Sequence, residues 1–394
     1  MICQTLRLLI TVALASAALC PPADACRGDI NGDGVCDLSD LAQLLGFYGM
    51  ETDAYYEQGN LDADGDVDLD DLATLLAAYG AECPQIGDLV VVPAGEFQMG
   101  DPWAESNPDQ LPEHTVYLDT FRIDAFLITN QQYADALNWA MEQGGLIEVT
   151  DYRVCQYGAG ADCIFCETTD SSDESRIVWN GVMFSATPEK GDHPIAMLTR
   201  FGAAAFCNWR SAMEGRELCF DTADWSCDFA RNGYRLPTEA EWEKAAAWDP
   251  ILQRHFRYGI HTDGCGYGCL AGRWANFAGS GDPYAAGATP DTTPVGYYNG
   301  ITHDGYRTLN GESYYGCYDM CGNLSEWVID RYSETYYSES PYANPTGPTV
   351  GDSFVWRGGS WRDSRAICSS AYRGFSLPDA RWCYICFRCV LGTE

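Results

Sequence analysis

The sequence predicts an α+β protein in two unequal parts, a small all-α unit followed by a larger part that mixes strands and helices. Three observations lead there. An acidic loop and the helical phrase behind it occur twice within residues 26–83, as LAQLLGFYG and LATLLAAYG. A β-rich opening, DLVVVPAGEFQMGD, starts at Asp88 with Pro93-Ala94-Gly95 as its turn. Two capping boxes, Thr129 to Gln132 and Thr238 to Glu241, start helices farther along the chain. At 394 residues the chain can bury a substantial core.

Residues 1–25 have the pattern of a signal peptide. Arg7 precedes an apolar run from Leu8 to Leu19, too short to span a bilayer, and Ala23-Asp24-Ala25 offers a cleavage site. No later stretch is long and apolar enough for a membrane span, so a secreted or periplasmic protein is expected. The formal charge of -34 argues against nucleic acid, which would be repelled, and makes cations the natural partners. Of 19 cysteines, those beyond Ala25 are odd in number. In an oxidising compartment most should pair, leaving at least one thiol free or bonded to another chain.

In the small unit, Asp29, Asn31, Asp33, Asp37 and Asp40 bring side-chain oxygens, and Val35 a carbonyl, to one twelve-residue calcium loop. Asn60, Asp62, Asp64, Asp66, Asp68 and Asp71 repeat the loop, and Gly34 and Gly65 permit its sharp turn. Leu41, Leu44, Leu45, Leu72, Leu75 and Leu76 are expected in its core. Cys26 and Cys83 bracket the duplicate, and a bridge between them would tie its ends; residues 84–88 then serve as linker. With Asp rather than Glu at position 12 and a single helix after each loop, this EF-hand duplicate resembles a type I dockerin. The resemblance implies structural calcium and docking to a cohesin-like protein; a purely structural cap is the other reading.

The larger part, residues 89–394, continues through an acidic loop with His114, for which no ligand-spaced partner exists among the five His. The first capping box starts a helix burying Tyr133, Leu137, Ala140 and Met141. Residues 144–192 look like a Gly-rich, acidic insertion whose Cys163-x-x-Cys166 suits local disulfides better than zinc. After His193-Pro194 a helix covers Phe201 to Met213. In GYRLPTEAEWE, residues 233–243, the Glu side chains read as helix-start carboxylates favoured by the dipole, with Trp242 buried.

These phrases, with RGGSW at residues 357–361 and CFRCV at 386–390, resemble the formylglycine-generating enzyme (sulfatase-modifying factor) family over nearly the whole of the larger part. The resemblance implies a C-type-lectin-like fold with little regular secondary structure. It also implies two calcium sites. Asn276 and Asp282 would supply side chains and Phe277 and Tyr284 carbonyls to one, and Asp319, Glu326, Gly322 and Leu324 would form the other. It implies a bridge between Cys207 and Cys389, which would stabilise by roughly 4 kcal/mol if unstrained.

Oxidase members of the family turn a client Cys into formylglycine with Cu(I) held between two thiolates, which suits a soft d10 ion. Counting from Trp361, those positions are Asp363 and Cys368. A hard carboxylate cannot stand in for the missing thiolate. The family's His, Tyr and Trp nearby are Ser364, Ile367 and Ser325. The segment also resembles non-oxidase relatives in which it, with Arg373, Pro378 and Arg381, scaffolds a ligand-binding face. Trp356, Tyr372, Phe375, Trp382 and Tyr384 would form that face, for a protein, peptide or glycan ligand, unless they are simply core. Cys368 would then pair with Cys383 or Cys386. The expectation is a secreted, calcium-bound, non-oxidase binding or scaffold protein. Its alternative is a divergent formylglycine-generating oxidase of a sulfatase-type client, with Cys368 and Ser360 catalytic and copper as cofactor.

Overall fold

The computed structural model describes residues 28–392 apart from 53, 62–64, 82, 86, 104–106, 261–269 and 287–290. The expected leader, Cys26, Asp62 and Asp64 lie outside the described residues. Among those described, no helix is long and apolar enough to cross a membrane.

The small unit holds helices α1 (Leu38–Phe47) and α2 (Leu69–Ala78). Asp37 and Asp68 cap them, and Asp40 and Asp71 return a carboxylate to the cap backbone, so each capping box is built from two aspartates. Leu41, Leu44, Leu72 and Leu75 meet Ile30, Leu61 and Val67 in one apolar cluster. Leu45, expected there, is instead 43% exposed. It follows Leu44 by about 100° of helix, which turns it off the stripe that Leu41 and Leu44 share. The unit also packs against residues 299–307: Arg307 lies 3.6 Å over the Tyr55 ring, Thr302 donates to Glu57 at 2.7 Å, and Gly300 lies against Tyr56.

The larger part contains two four-stranded sheets. In the first, strand Leu89–Val92 pairs with Phe121–Asp124, which pairs with the last strand, Val390–Gly392, and that with Tyr234–Arg235, all antiparallel. The second runs Gly374–Ser376, Phe354–Arg357, Ser325–Arg331, Ile385–Cys386, its last pair parallel. Helices α3 (Asn130–Gln143), α4 (Arg200–Met213) and α5 (Glu239–Ala247) pack around them. Side chains alternate along Phe354–Arg357: Phe354 and Trp356 face the cluster of α3 and α4, and Val355 faces the cluster of α5. The expected insertion is folded. Its strands Ile147–Thr150, Arg153–Gln156 and Ile164–Glu167 form a sheet, and hairpin Ile177–Trp179/Phe184–Ala186 lies against α3. Cys163 and Cys166 do not act as a pair within it; Cys163 has Trp225 and Cys155 as neighbours, and Cys166 has Tyr133.

A buried charge network fixes α5 to the second sheet. Arg357 donates to Glu239 at 2.7 Å and to Glu243 at 2.5 Å, and Arg373 grips the same Glu239 at 2.7 and 3.0 Å. Glu241 is paired separately with Arg235. Burial and the Glu239 charge push the Asp330 carboxyl well up, and it accepts from the Glu239 N–H at 2.8 Å. The helix-start carboxylates are therefore structural. Breaking such a pair strands a buried charge, so Glu239→Gln should lower unfolding free energy by about 3–5 kcal/mol in a denaturant titration. A loss below about 1 kcal/mol would contradict this account.

His193 anchors the start of α3, its carbonyl accepting from Asn130 N and Nδ2, both at 2.9 Å, while its Nδ1 meets Thr292 Oγ1 at 2.8 Å. Burial, then Lys190, pushes its pKa down to about 4. The unfolded chain takes up this proton near pH 6.5, before the folded one does. Stability should therefore be lost as pH falls from about 6.5 toward about 4, by up to ~1.4 kcal/mol per pH unit. Melting curves over that range should flatten in His193→Gln; an unchanged slope would assign the loss to other groups.

Candidate functional site

The turn after strand Phe354–Arg357 places the residues where the family's copper thiolates would stand. Gly358 and Gly359 both have positive φ, and a Cβ on Gly359 would lie 2.8 Å from the Cys368 Cα. Gly322 N donates to Gly358 O at 2.9 Å and Trp361 N to Asn323 O at 2.9 Å, stitching the turn to residues 321–323. Asp363 faces back into this turn, accepting from Ser360 Oγ at 2.6 Å and Ser360 N at 3.0 Å, while its own carbonyl accepts from Ala278 N. The Ser360 hydroxyl is thus engaged by the carboxylate.

Cys368 is fully buried in a cluster with Tyr258, Ile260, Phe277 and Cys321. Its sulfur neighbour is Cys321, whose thiol is pushed up by burial and then by Cys368. Pairing with Cys383 or Cys386 is not what the fold provides. Cys383 receives a hydrogen bond from Arg362 Nη1 at 3.1 Å, and Cys386 donates toward Ile128 O at 3.4 Å, from a strand on the other flank. Two thiolates around Cu(I) do not fit here in the family's arrangement. The first position is a carboxylate held by Ser360, and the second is a buried sulfur whose thiol neighbour, Cys321, stands at neither family position.

The aromatic residues expected to form a ligand face divide between the two sides of the sheet. Trp356 lies near Tyr372, ring centroids 6.0 Å apart, and Trp382 stacks on Tyr384 at 5.5 Å. Asp363 is near enough to both pairs to act electrostatically on Tyr372 and Tyr384. Phe375 does not join them. It pairs in register with Val355, one residue out of phase with Trp356, and stacks on Tyr332 at 3.9 Å on the opposite side. Arg362 and Trp361 complete the face, the guanidinium 5.5 Å from both the Trp361 and Tyr384 rings. Sequence reasoning left Arg362 out, although it directly follows GGSW. The scaffold residues stand behind: Arg373 in the network, Arg381 on Glu167 at 2.7 Å, and Pro378 O accepting from Arg200 N.

The residues expected to hold cations are buried oxygens in irregular backbone. Asn276 and Asp282 are fully enclosed, and Asn276 Oδ1 has no hydrogen-bond partner. Asp282 accepts from Ser280, Tyr284 N and Ala285 N, and the carbonyls of Phe277 and Tyr284 accept from Ser280 N and Asp291 N. In the second set, burial pushes Asp319 up to about 6 although Gly296 N donates to it, and Glu326 carries the Arg388 guanidinium at 2.7 and 2.9 Å. Gly322 and Leu324 lie on the connecting turn.

In the small unit, Asp29 accepts from Gly32 N, Asp33 N and Gly34 N, and Asp40 from Ile30 N, Asn31 N and Asp37 N. Asn31 and Asp33 accept from Asp33 N and Val35 N. In the second loop, carboxylate oxygens of Asp66, Asp68 and Asp71 lie within 4.8 Å of one another, and Asn60 Oδ1 is buried without a partner. A hard cation fits both an orphaned buried amide oxygen and converging carboxylates. Cys207 and Cys389, the expected bridge, are buried side by side with their sulfurs 3.6 Å apart.

The model of the sulfatase-modifying factor enzyme 1-like domain matches residues 77–393. The chain is 28% identical over 329 residues to the formylglycine-generating enzyme of Streptomyces coelicolor, covering 77% of this chain and 89% of that protein. It is 27% identical over 313 residues to the serine/threonine-protein kinase pkn1 of Chlamydia caviae, where it spans 79% of its own length and 39% of the kinase. Among solved structures, Treponema denticola variable protein 1 superposes with a TM-score of 0.50 at 21% identity, over 79% of this chain and 99% of that one, a likeness of fold alone. Sequence match and fold agree, and the chain belongs to the family of sulfatase-modifying factor enzyme 1-like domains.

Proposed function

We propose that this protein is a secreted, calcium-bound member of the family that binds a ligand and has given up copper-dependent cysteine oxidation. The observation that carries this reading is Asp363, which stands at a thiolate position and is hydrogen-bonded to Ser360. Two thiolates at the family's positions make a soft, linear site, and Cys368 with the hard carboxylate of Asp363 does not; Cys321, the thiol beside Cys368, stands at neither position. The face of Trp356, Trp361, Tyr372, Trp382 and Tyr384 around Asp363 and Arg362 offers contact area with few rotatable bonds to a peptide or glycan. The alternative, a divergent formylglycine-generating oxidase using Cys368 and Ser360, draws on the likeness to the Streptomyces coelicolor enzyme.

Incubating calcium-loaded protein with copper, a reductant and a CxPxR peptide separates the two readings. We expect no aldehyde by mass spectrometry; product that vanishes in Cys368→Ser would replace the binding reading by the oxidase one.

In this reading calcium is held by Asn276 and Asp282, by Asp319 and Glu326, and by the two loops of the small unit, where it neutralises buried carboxylates and so fixes backbone that has little regular structure. Leu45, Phe47 and Tyr48, exposed on and just after α1, support docking to a cohesin-like protein rather than a bare cap. Chelation should lower the melting temperature and the far-UV helicity of the full chain, and Asn60→Ala should weaken calcium binding at the second loop in a titration. Helicity indifferent to chelator would sink the calcium assignment of the small unit.

A further inference from the structure

A cavity of about 780 Å³ opens between the start of α4, strand Phe354–Arg357 and the loops at 224–229, 346–352 and 377–379. It does not include Asp363 or the aromatic face around it. Arg200 lines this cavity and is only 3% exposed. Its Nη2 donates to Ile329 O at 3.1 Å, its Nε is buried with no partner, and its guanidinium lies 3.8 Å over the Phe354 ring. No carboxylate among the described residues forms an ion pair with it; Asp330, which acts on it electrostatically, accepts from the Glu239 backbone N–H. Arg331 lies over the same ring at 4.7 Å, adding a second positive charge.

One hydrogen bond and the Phe354 ring are the contacts that offset the cost of this placement. Burying an unpaired cation costs several kcal/mol, and Arg200 is the first residue of α4, at the positive end of the helix dipole. Burial and the neighbouring Arg331 act to lower its pKa, to about 10, so it remains charged at neutral pH. The buried arginines Arg235, Arg357, Arg373 and Arg388 have carboxylate partners. Arg200 does not, and it lines an open cavity.

The rest of the lining narrows the ligand. Phe201, Trp225, Phe229 and Phe354 make the walls apolar and aromatic, while Asp224, Asp352 and Asp379 stand among the lining residues with negative charge. These carboxylates disfavour a dianion such as phosphate; a single negative charge on an apolar body meets both requirements. We propose that the cavity binds a monocarboxylate bearing an aromatic or apolar group, its carboxylate pairing with Arg200 and its ring lying against Phe354, Trp225 and Phe201. The carboxylate belongs either to a small aromatic acid or to the C-terminal residue of a peptide.

The test is calorimetric titration of the full calcium-loaded chain with 3-phenylpropionate, 3-phenylpropionamide, inorganic phosphate, and a tripeptide ending in Phe with a free or an amidated C-terminus. The free carboxylates should bind at least about tenfold more tightly than their amides, with phosphate weaker than either acid. The tighter of the two acids identifies the source. Arg200→Met should abolish the difference between acid and amide, and in the absence of ligand should melt no lower than the parent protein. Equal affinity for acid and amide, phosphate binding more tightly than either acid, or no binding of any probe at millimolar concentration would overturn the proposal. The acid-to-amide comparison in the parent protein decides even if the variant does not fold. Because Asp363 and its aromatic face lie outside the cavity, neither result bears on the loss of oxidase chemistry.

Discussion

The architecture depends on Arg357. Its guanidinium is fully buried, bonded to Glu239 and Glu243 of α5 and to Ser370 O, and it precedes the turn that sets Ser360, Trp361 and Asp363. Glu239 in turn carries Arg373, so one helix start holds both ends of the segment 357–373. The turn is then closed by contacts that leave no room for a side chain: a Cβ on Gly358 would press on Trp242, and one on Gly359 on Cys368. Buried pairs of this kind contribute little net stability when intact, but they specify one arrangement, because every alternative leaves a charge unpaired.

That constraint explains what was legible in the sequence. GYRLPTEAEWE reads as a helix start with structural carboxylates, and the partners of Glu239, Glu241 and Glu243 are arginines, Arg357 among them from a distant part of the chain. The capping boxes at Thr129 and Thr238 form as their spacing demands, because a cap is a local interaction within one turn. The family was legible for the same reason, its motifs being short contiguous phrases. Asp363 needed only a count along the chain from Trp361.

What was not legible required knowledge of register or long-range contact. Phe375 looks like one more aromatic near Tyr372 until strand pairing sets it opposite Val355, which sends it to the other side of the sheet. Cys368 has three cysteines near it in the later sequence, yet its neighbour is Cys321, brought close by the Gly322–Gly358 hydrogen bond. Leu45 fits a leucine-rich helix but lies outside the narrow stripe that so small a unit can bury. Arg200 gave no signal at all. An arginine at a helix start looks exposed in sequence, and only the packing of Phe354 against it reveals a buried charge with no carboxylate partner among the described residues.

The separation of these features bears on how one fold carries different tasks. The Arg357 network touches α5, the 336–338 turn and Arg373, and none of its side chains is hydrogen-bonded to Asp363 or Trp361. A thiolate can therefore be exchanged for a carboxylate at position 363 while the turn itself persists, since Asp363 binds the Ser360 backbone and hydroxyl locally. The carboxylate is a hydrogen-bond acceptor that a thiol would not match in strength, and it ties the turn to Ser360. In the proposed reading, loss of the soft site and retention of the fold both follow from one side chain.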